Sequence, residues 1–177
     1  MAGQSIASPL SEAQSAYAAG NYANALELYS SLANKGNAQA QLSLGVMYYL
    51  GQGVTQSNEN AAKWFQRAAK KGNVLAQNLL GEMYDQGSGV PQDYKIAAKW
   101  YRLAAEQGDT HGQYNLGIMY ARELGVPQDY IQAYMWLSLS AKSPEELGLI
   151  TRQMSASQIA KAKELADQCA AKQFKRC

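Results

Sequence analysis

The chain is poor in the residues on which most catalysis and metal binding draw. It carries a single histidine, His111, in 177 residues, which excludes a multi-histidine metal site. A Ser-His-Asp relay would have to use that histidine, and no G-x-S-x-G elbow accompanies it. The two cysteines, Cys169 and Cys177, both fall in the last nine residues, so no thiolate set serves the body of the chain. No apolar run reaches the ~20 residues that cross a bilayer, and none is expected to span one. The net charge is only +2, with no Lys/Arg stripe interleaved with aromatics, so a nucleic-acid footprint is absent. The start, Met1 to Ser5, lacks the basic region and apolar core of a secretory leader. The chain therefore reads as cytoplasmic, or as the mature part of an exported protein with an added Met. No cofactor is expected.

What is present is repetition. The blocks 37–72, 73–108 and 109–144 share a period of 36 residues without insertion or deletion. Leu44-Gly45, Leu80-Gly81 and Leu116-Gly117 fall in register, as do Tyr48/Tyr84/Tyr120, Val54/Val90/Val126 and Trp64/Trp100/Trp136. Self-similarity at this period is the mark of a solenoid, whose units bury their apolar faces against one another. Function then belongs to an extended surface rather than to a deep pocket.

One copy shows how the unit is built. Leu75, Ala76, Leu79, Leu80, Met83 and Tyr84 recur at helical spacing and predict a first helix of about three turns. Gly81 lies on it at a cost of ~1 kcal/mol against alanine, which implies close approach of a partner helix. Gly87-Ser88-Gly89 ends the helix. Val90-Pro91-Gln92-Asp93 forms a loop, with Asp93 a candidate N-cap. A second helix is expected from Tyr94 to Glu106, burying Ala97, Ala98, Tyr101, Ala104 and Ala105, with Trp100 against the neighbouring hairpin. Each copy is thus an antiparallel helix pair.

The ends depart from the frame. Tyr17 to Gly36 spans 19 positions where Tyr84 to Gly108 spans 24, so the first hairpin has a tighter turn. The reading divides the chain into an extended or disordered 1–9, an N-terminal hairpin 10–36, repeats 37–72, 73–108 and an irregular 109–144, and capping helices over 145–177. In the third copy Glu123 replaces the first loop glycine and Gly112 an alanine, predicting a distorted loop near Arg122–Gly125. Ser143-Pro144 predicts a change of chain direction. Helices are expected over Glu145–Met154 and Ser157–Lys172, with Ser157 as N-cap. Cys169 and Cys177 are either two unrelated thiols or a disulfide. The second reading favours an oxidising compartment and requires the helix to end near Ala170–Lys172, because eight helical residues rise ~12 Å, too far for a disulfide. The basic tail Lys172, Lys175 and Arg176, with Phe174, reads as a solvated end.

The frame Ala76-x₃-Leu80-Gly81-x₂-Tyr84-x₂-Gly87-x-Gly89-Val90-x₂-Asp93-x-Lys95-x-Ala97-Ala98-x-Trp100-Tyr101-x₂-Ala104-Ala105-x₂-Gly108 resembles the Sel1-like repeat family, a branch of the tetratricopeptide superfamily. The first hairpin, Gly20-x-Tyr22-x₂-Ala25-x₃-Tyr29-x₂-Leu32, resembles an ordinary tetratricopeptide unit, and Met154–Ala162 the terminal helix of bacterial members. The resemblance implies an all-α, right-handed superhelix of antiparallel helix pairs that binds proteins or peptides. It also implies that the first helix of each pair lines the concave face.

By register, Gln39, Ser43, Val46, Tyr49 and Leu50 then face that groove in the first copy. Asn78, Glu82, Asp85 and Gln86 follow in the second, and His111, Asn115, Ile118 and Arg122 in the third, with Tyr114 beside them. Tyr49, Asn78, Glu82, Asp85, His111, Tyr114, Asn115 and Arg122 are the candidate partner-binding residues. Asn115 and Arg122 supply part of a carboxylate clamp, but the acidic pair Glu82/Asp85 opposes one, and none is predicted. Gly51-x-Gly53 and Gly87-x-Gly89 lack the rest of a phosphate loop. Glu82/Asp85 and Glu145/Glu146 read as solvated acids rather than acid–base pairs, and Asp109 with His111 as a polar helix start. The expected function is a non-enzymatic, monomeric adaptor or scaffold for a protein or peptide, periplasmic or secreted rather than cytoplasmic. The alternative is an envelope hydrolase or β-lactam-binding protein of the cysteine-rich Sel1-like type, whose repeats carry cysteine pairs that these repeats lack.

Overall fold

Asparagine, aspartate and serine at regular intervals set where the helices begin. In the computed structural model, which describes residues 8–141, 144–175 and 177, ten helices follow one another and no strand occurs among the described residues. They are α1 (Pro9–Ala18), α2 (Tyr22–Asn34), α3 (Ala38–Leu50), α4 (Asn58–Lys70), α5 (Val74–Gln86), α6 (Tyr94–Ala105), α7 (Thr110–Arg122), α8 (Tyr130–Ser140), α9 (Pro144–Thr151) and α10 (Ala156–Ala171). Side chains of Asn21, Asn37, Ser57, Asp93, Asp109 and Asp129 each accept a backbone N–H of the first turn they precede, each worth about 1 kcal/mol. Most of the expected extended N-terminus, 1–7, lies outside the described residues, as do Lys142, the Ser143 of the expected Ser143-Pro144 break, and Arg176 of the basic tail. Ser8 caps α1, which opens on Pro9.

The chain forms two compact units, the first ending at Ala76 and the second running from Gln77 to Cys177. In the first unit, Ala13, Ala25, Tyr29, Ala33, Ala40, Leu44 and Met47 make the buried core. Tyr17 stacks edge-on to Tyr22 and Tyr29, with ring centroids 5.4 and 6.4 Å away. The helical glycine explains itself: a Cβ on Gly45 would stand 2.4 Å from the Phe65 ring of α4. The loop joining α1 to α2 is shorter than those of the later pairs.

In the second unit the same device recurs twice. A Cβ on Gly81 would meet the Tyr101 ring at 2.7 Å, and one on Gly117 would meet Leu137 Cγ at 2.7 Å. Ala97, Ala98, Tyr101, Ala104 and Ala105, the expected inner face of α6, are all buried. Trp136 is fully buried against Ala166 and Cys169 of α10, whereas Trp64 and Trp100 are half-buried. One repeat position therefore has two environments, and the helix after the last copy covers it.

Three expectations are corrected. The loop at Arg122–Gly125 is not distorted: Glu123 adopts φ +58°, the left-handed cap that Gly51 and Gly87 supply at φ +70°. The cap of α10 is Ser155, not Ser157, because Gln158 completes a capping box with Ser155. Glu82 and Asp85, read as solvated acids, are half-buried.

α10 ends at Ala171, and Gln173 and Phe174 turn the tail back at φ +52° and +65°. Cys169 and Cys177 are disulfide-bonded, with Cα atoms 5.4 Å apart. This turn seats Phe174 so closely over Gly108 that a Cβ there would be 2.9 Å from the ring.

Candidate binding surface

The seven residues between the helices of a pair are held the same way in each copy. Gln56, Gln92 and Gln128 donate side-chain N–H groups to the carbonyls of Tyr49, Asp85 and Ala121, at 2.8, 2.7 and 3.0 Å. The backbone N–H groups of Ser57, Asp93 and Asp129 bond the carbonyls of Tyr48, Tyr84 and Tyr120. A second set of glutamines is buried. Gln41 and Gln113 donate to the carbonyls of Ala33 and Ala105, and Gln77 accepts from Gln107. The sequence reading missed both sets, although each recurs at the 36-residue period and was visible in it.

On this frame the first helices present side chains that differ between copies. In the first unit Gln39, Ser43 and Val46 line a small cleft of about 190 Å³ with Tyr17, Leu42 and Leu75. Tyr49 and Leu50 stand exposed on the same helix.

In the second unit α5 carries Glu82 and Asp85 half-buried. Burial raises the carboxyl pKa of Glu82, the nearby Asp85 raises it further, and His111 opposes the shift. Burial also raises Asp85. The Tyr101 phenol, buried beneath them, is pushed far up by its desolvation and then by the charges of Asp85 and Glu82. The structure thus brings Glu82, Asp85, Tyr101 and His111 into one electrostatic group. In the other copies the positions of Glu82, Asp85 and Tyr101 hold Val46, Tyr49 and Phe65, or Ile118, Ala121 and Leu137. The polar version is peculiar to the second copy. Tyr101, assigned only to the core from its spacing, belongs to this group through its hydroxyl.

Asn78 does not belong to an open surface. It is 4 % exposed, and its amide Nδ2 donates to Asp109 Oδ1, the cap of α7. Its role is to fix the start of one first helix to the body of another. His111 and Arg122 are exposed, and Tyr114 and Asn115 are half-buried. Tyr114 donates its hydroxyl to Glu146 Oε1 of α9 at 3.2 Å. Near the C-terminal end of α7, Ile118 and Arg122 face Glu146, Leu149, Ile150 and Gln153 across a cleft of about 390 Å³. Glu146, Leu149 and Gln153 were not foreseen as part of any surface, because the periodic frame stops before them. Among the described residues no three metal-ligating side chains gather, and no helix is long and apolar enough to cross a membrane.

The profile of the Sel1 repeat matches residues 13–37, 38–73, 74–109 and 110–144, most of the chain. It belongs to the Sel1 repeat family. The helix-pair frame and its glycine seats are therefore those of Sel1 repeats, which are generally protein-interaction modules rather than enzymes. No curated protein matches this Sel1 repeat chain. Among solved structures, it is similar to a protective antigen present in uropathogenic Escherichia coli strains that displays an SLR fold. The identity is 35% and the TM-score 0.76, over 85% of this chain and 33% of the antigen. The chain thus spans about a third of that protein's length. It is also similar in fold to a Sel1 repeat protein from Oxalobacter formigenes, at 23% identity and a TM-score of 0.74, over 93% of this chain and 77% of that one.

Proposed function

We propose that this Sel1 repeat chain is a non-enzymatic, monomeric adaptor that grips an extended protein segment along the outward side of its first helices. The observation that carries this reading is the split between constant and variable positions. The copies agree at buried frame positions such as Leu44, Leu80 and Leu116, although the buried Phe65, Tyr101 and Leu137 differ. They diverge where side chains reach solvent, as at Val46, Glu82 and Ile118. A scaffold repeated for stability alone has no need of half-buried carboxylates at one of three equivalent positions. Glu82 and Asp85, held above their ordinary pKa by lost hydration, gain from a cationic partner group that restores it.

The test is capture of a partner from the source cell envelope by wild-type protein and by the double reversal Glu82→Lys/Asp85→Lys. Loss of the captured protein, with helical content unchanged, is expected. An undiminished yield would overturn the reading. Incubation with a fluorescent penicillin is expected to leave the chain unlabelled, and covalent labelling at one serine would replace the adaptor by an envelope enzyme.

The proposed compartment is periplasmic or extracellular. Support comes from the joined Cys169 and Cys177, since such bonds persist where the environment oxidises, and from the likeness to a bacterial antigen.

A further inference from the structure

The segment that follows α10 has few bonds of its own to hold it in place. The backbone N–H groups of Lys172, Gln173, Phe174 and Lys175 bond the carbonyls of Gln168, Cys169, Ala170 and Lys172, so the backbone ties the segment to α10 and to itself. Gln173 and Phe174 are consecutive left-handed residues, at φ +52° and +65°. Neither is glycine, and L-residues resist that conformation. The Phe174 ring reaches beyond α10, to Gly108 between α6 and α7.

The repeat does not require this seat to be filled. Gly36, Gly72 and Gly108 occupy one repeat position, and a Cβ on Gly72 would meet nothing within 4 Å. The closed form also leaves a polar group unsatisfied. Trp136 is fully buried against Cys169, and its indole Nε1–H meets no acceptor among the described residues. A donor stripped of water without a partner is costly. The closed form thus carries a left-handed pair and an orphaned donor, both relieved on opening. The bond from Cys169 to Cys177 and the burial of the Phe174 ring hold it shut.

We propose that Cys169–Cys177 is a redox latch. Reduced by a dithiol, it lets the segment beyond α10 leave Gly108 and uncovers the apolar seat beneath Phe174, while α10 stays docked through the buried Ala162 and Ala166. Cys177 is partly exposed and Cys169 is buried, so a thiolate of the reductant attacks Sγ of Cys177 and the Cys169 thiolate departs. The second thiol of the reductant then displaces Cys177 from the mixed disulfide. One S–S bond breaks in the protein and one forms in the reductant. Two electrons and two protons pass to the chain, which is left with two thiols. An oxidising compartment keeps the latch shut, and a local supply of dithiol opens it. The latch is independent of what the first helices bind.

The experiment compares two-dimensional ¹⁵N NMR spectra of the full chain, oxidised and in dithiothreitol, with reduction verified as a gain of about two daltons, one hydrogen per sulfur. Trp64→Phe and Trp100→Phe identify the Trp136 indole signal by elimination. On reduction, the Gly108 amide and the Trp136 indole should shift, and the indole proton should exchange with solvent about tenfold faster or more, the signature of local opening. Contacts between the Phe174 ring and Gly108 should vanish, with signals of Leu44 and Leu80 unmoved. Reoxidation should restore the first spectrum. Cys169→Ser/Cys177→Ser should give the open spectrum without reductant, and Phe174→Ala should shift Gly108 with the disulfide intact. Unchanged Gly108 and Trp136 signals after verified reduction would overturn the inference and leave a static staple. Collapse of dispersion throughout the spectrum would overturn it too, since a latch opens one segment and not the fold. So would a native chain that dithiothreitol does not reduce.

Discussion

Glycine 81 is held by one ring. Its missing Cβ leaves room for Tyr101 Cε1, which would otherwise sit at 2.7 Å. Alanine there must push a buried aromatic aside, so Gly81→Ala should cost about 1–3 kcal/mol, read as a lower urea midpoint with an unchanged m-value. Gly117 is less forgiving, since backbone atoms of Leu137 and Ala133 also lie within 3.2 Å of the added carbon and cannot swing away. Glu123 is the opposite case. A left-handed conformation costs an L-residue about 1–2 kcal/mol, while glycine costs about 0.5–1 kcal/mol of backbone entropy. Glu123→Gly should therefore raise stability by about 0.5 kcal/mol, and a lower melting point would contradict the cap. Sequence comparison detected the odd residue at 123 but drew the wrong consequence, because the backbone keeps its angle and the side chain bears the strain.

Among the elements, α5 should give the molecule a pH signature. Glu82 and Asp85 have folded pKa values raised above their unfolded ones. Between those values the native state holds more protons than the unfolded state, so stability falls as pH rises through that window and is recovered on acidification towards the unfolded pKa. Glu82→Gln/Asp85→Asn should flatten this slope and stabilise the protein at neutral pH, measurable as urea midpoints across a pH series.

α10 depends on its tail. Closing a nine-residue loop by Cys169–Cys177 contributes about 2–3 kcal/mol in the chain-entropy account, so reductant or Cys177→Ser should lower the midpoint accordingly. The Asp93 cap of α6 was legible because it closes a Gly-x-Gly-Val-Pro loop directly ahead of a helical pattern. The start of α10 was misplaced by two residues, although Ser155-x-x-Gln158 carried the signal. The cleft beside α9 was not legible at all, since Glu146, Leu149, Ile150 and Gln153 of its lining lie past the last repeat and have no copies to be compared with.

For the whole molecule, repetition implies that stability is close to a sum over units and their nearest interfaces. Gly45→Ala and Gly117→Ala disturb Phe65 in one case, and Leu137 and Ala133 in the other, with no shared partner. Their costs should add to within about 0.5 kcal/mol in the double variant, and a larger discrepancy in denaturation would mean that the copies are coupled beyond their neighbours.

The loop glutamines have a consequence for resistance to proteolysis. Connecting segments are where proteases usually cut, because cleavage needs several residues drawn out straight. Here each seven-residue connector is tied back to the preceding helix by its last two residues, through the side chain of Gln56, Gln92 or Gln128 and the backbone of Ser57, Asp93 or Asp129. Drawing one out means first unwinding the helix ends that anchor it. A chain with three such connectors can carry many turns on its surface and still offer digestive enzymes little slack.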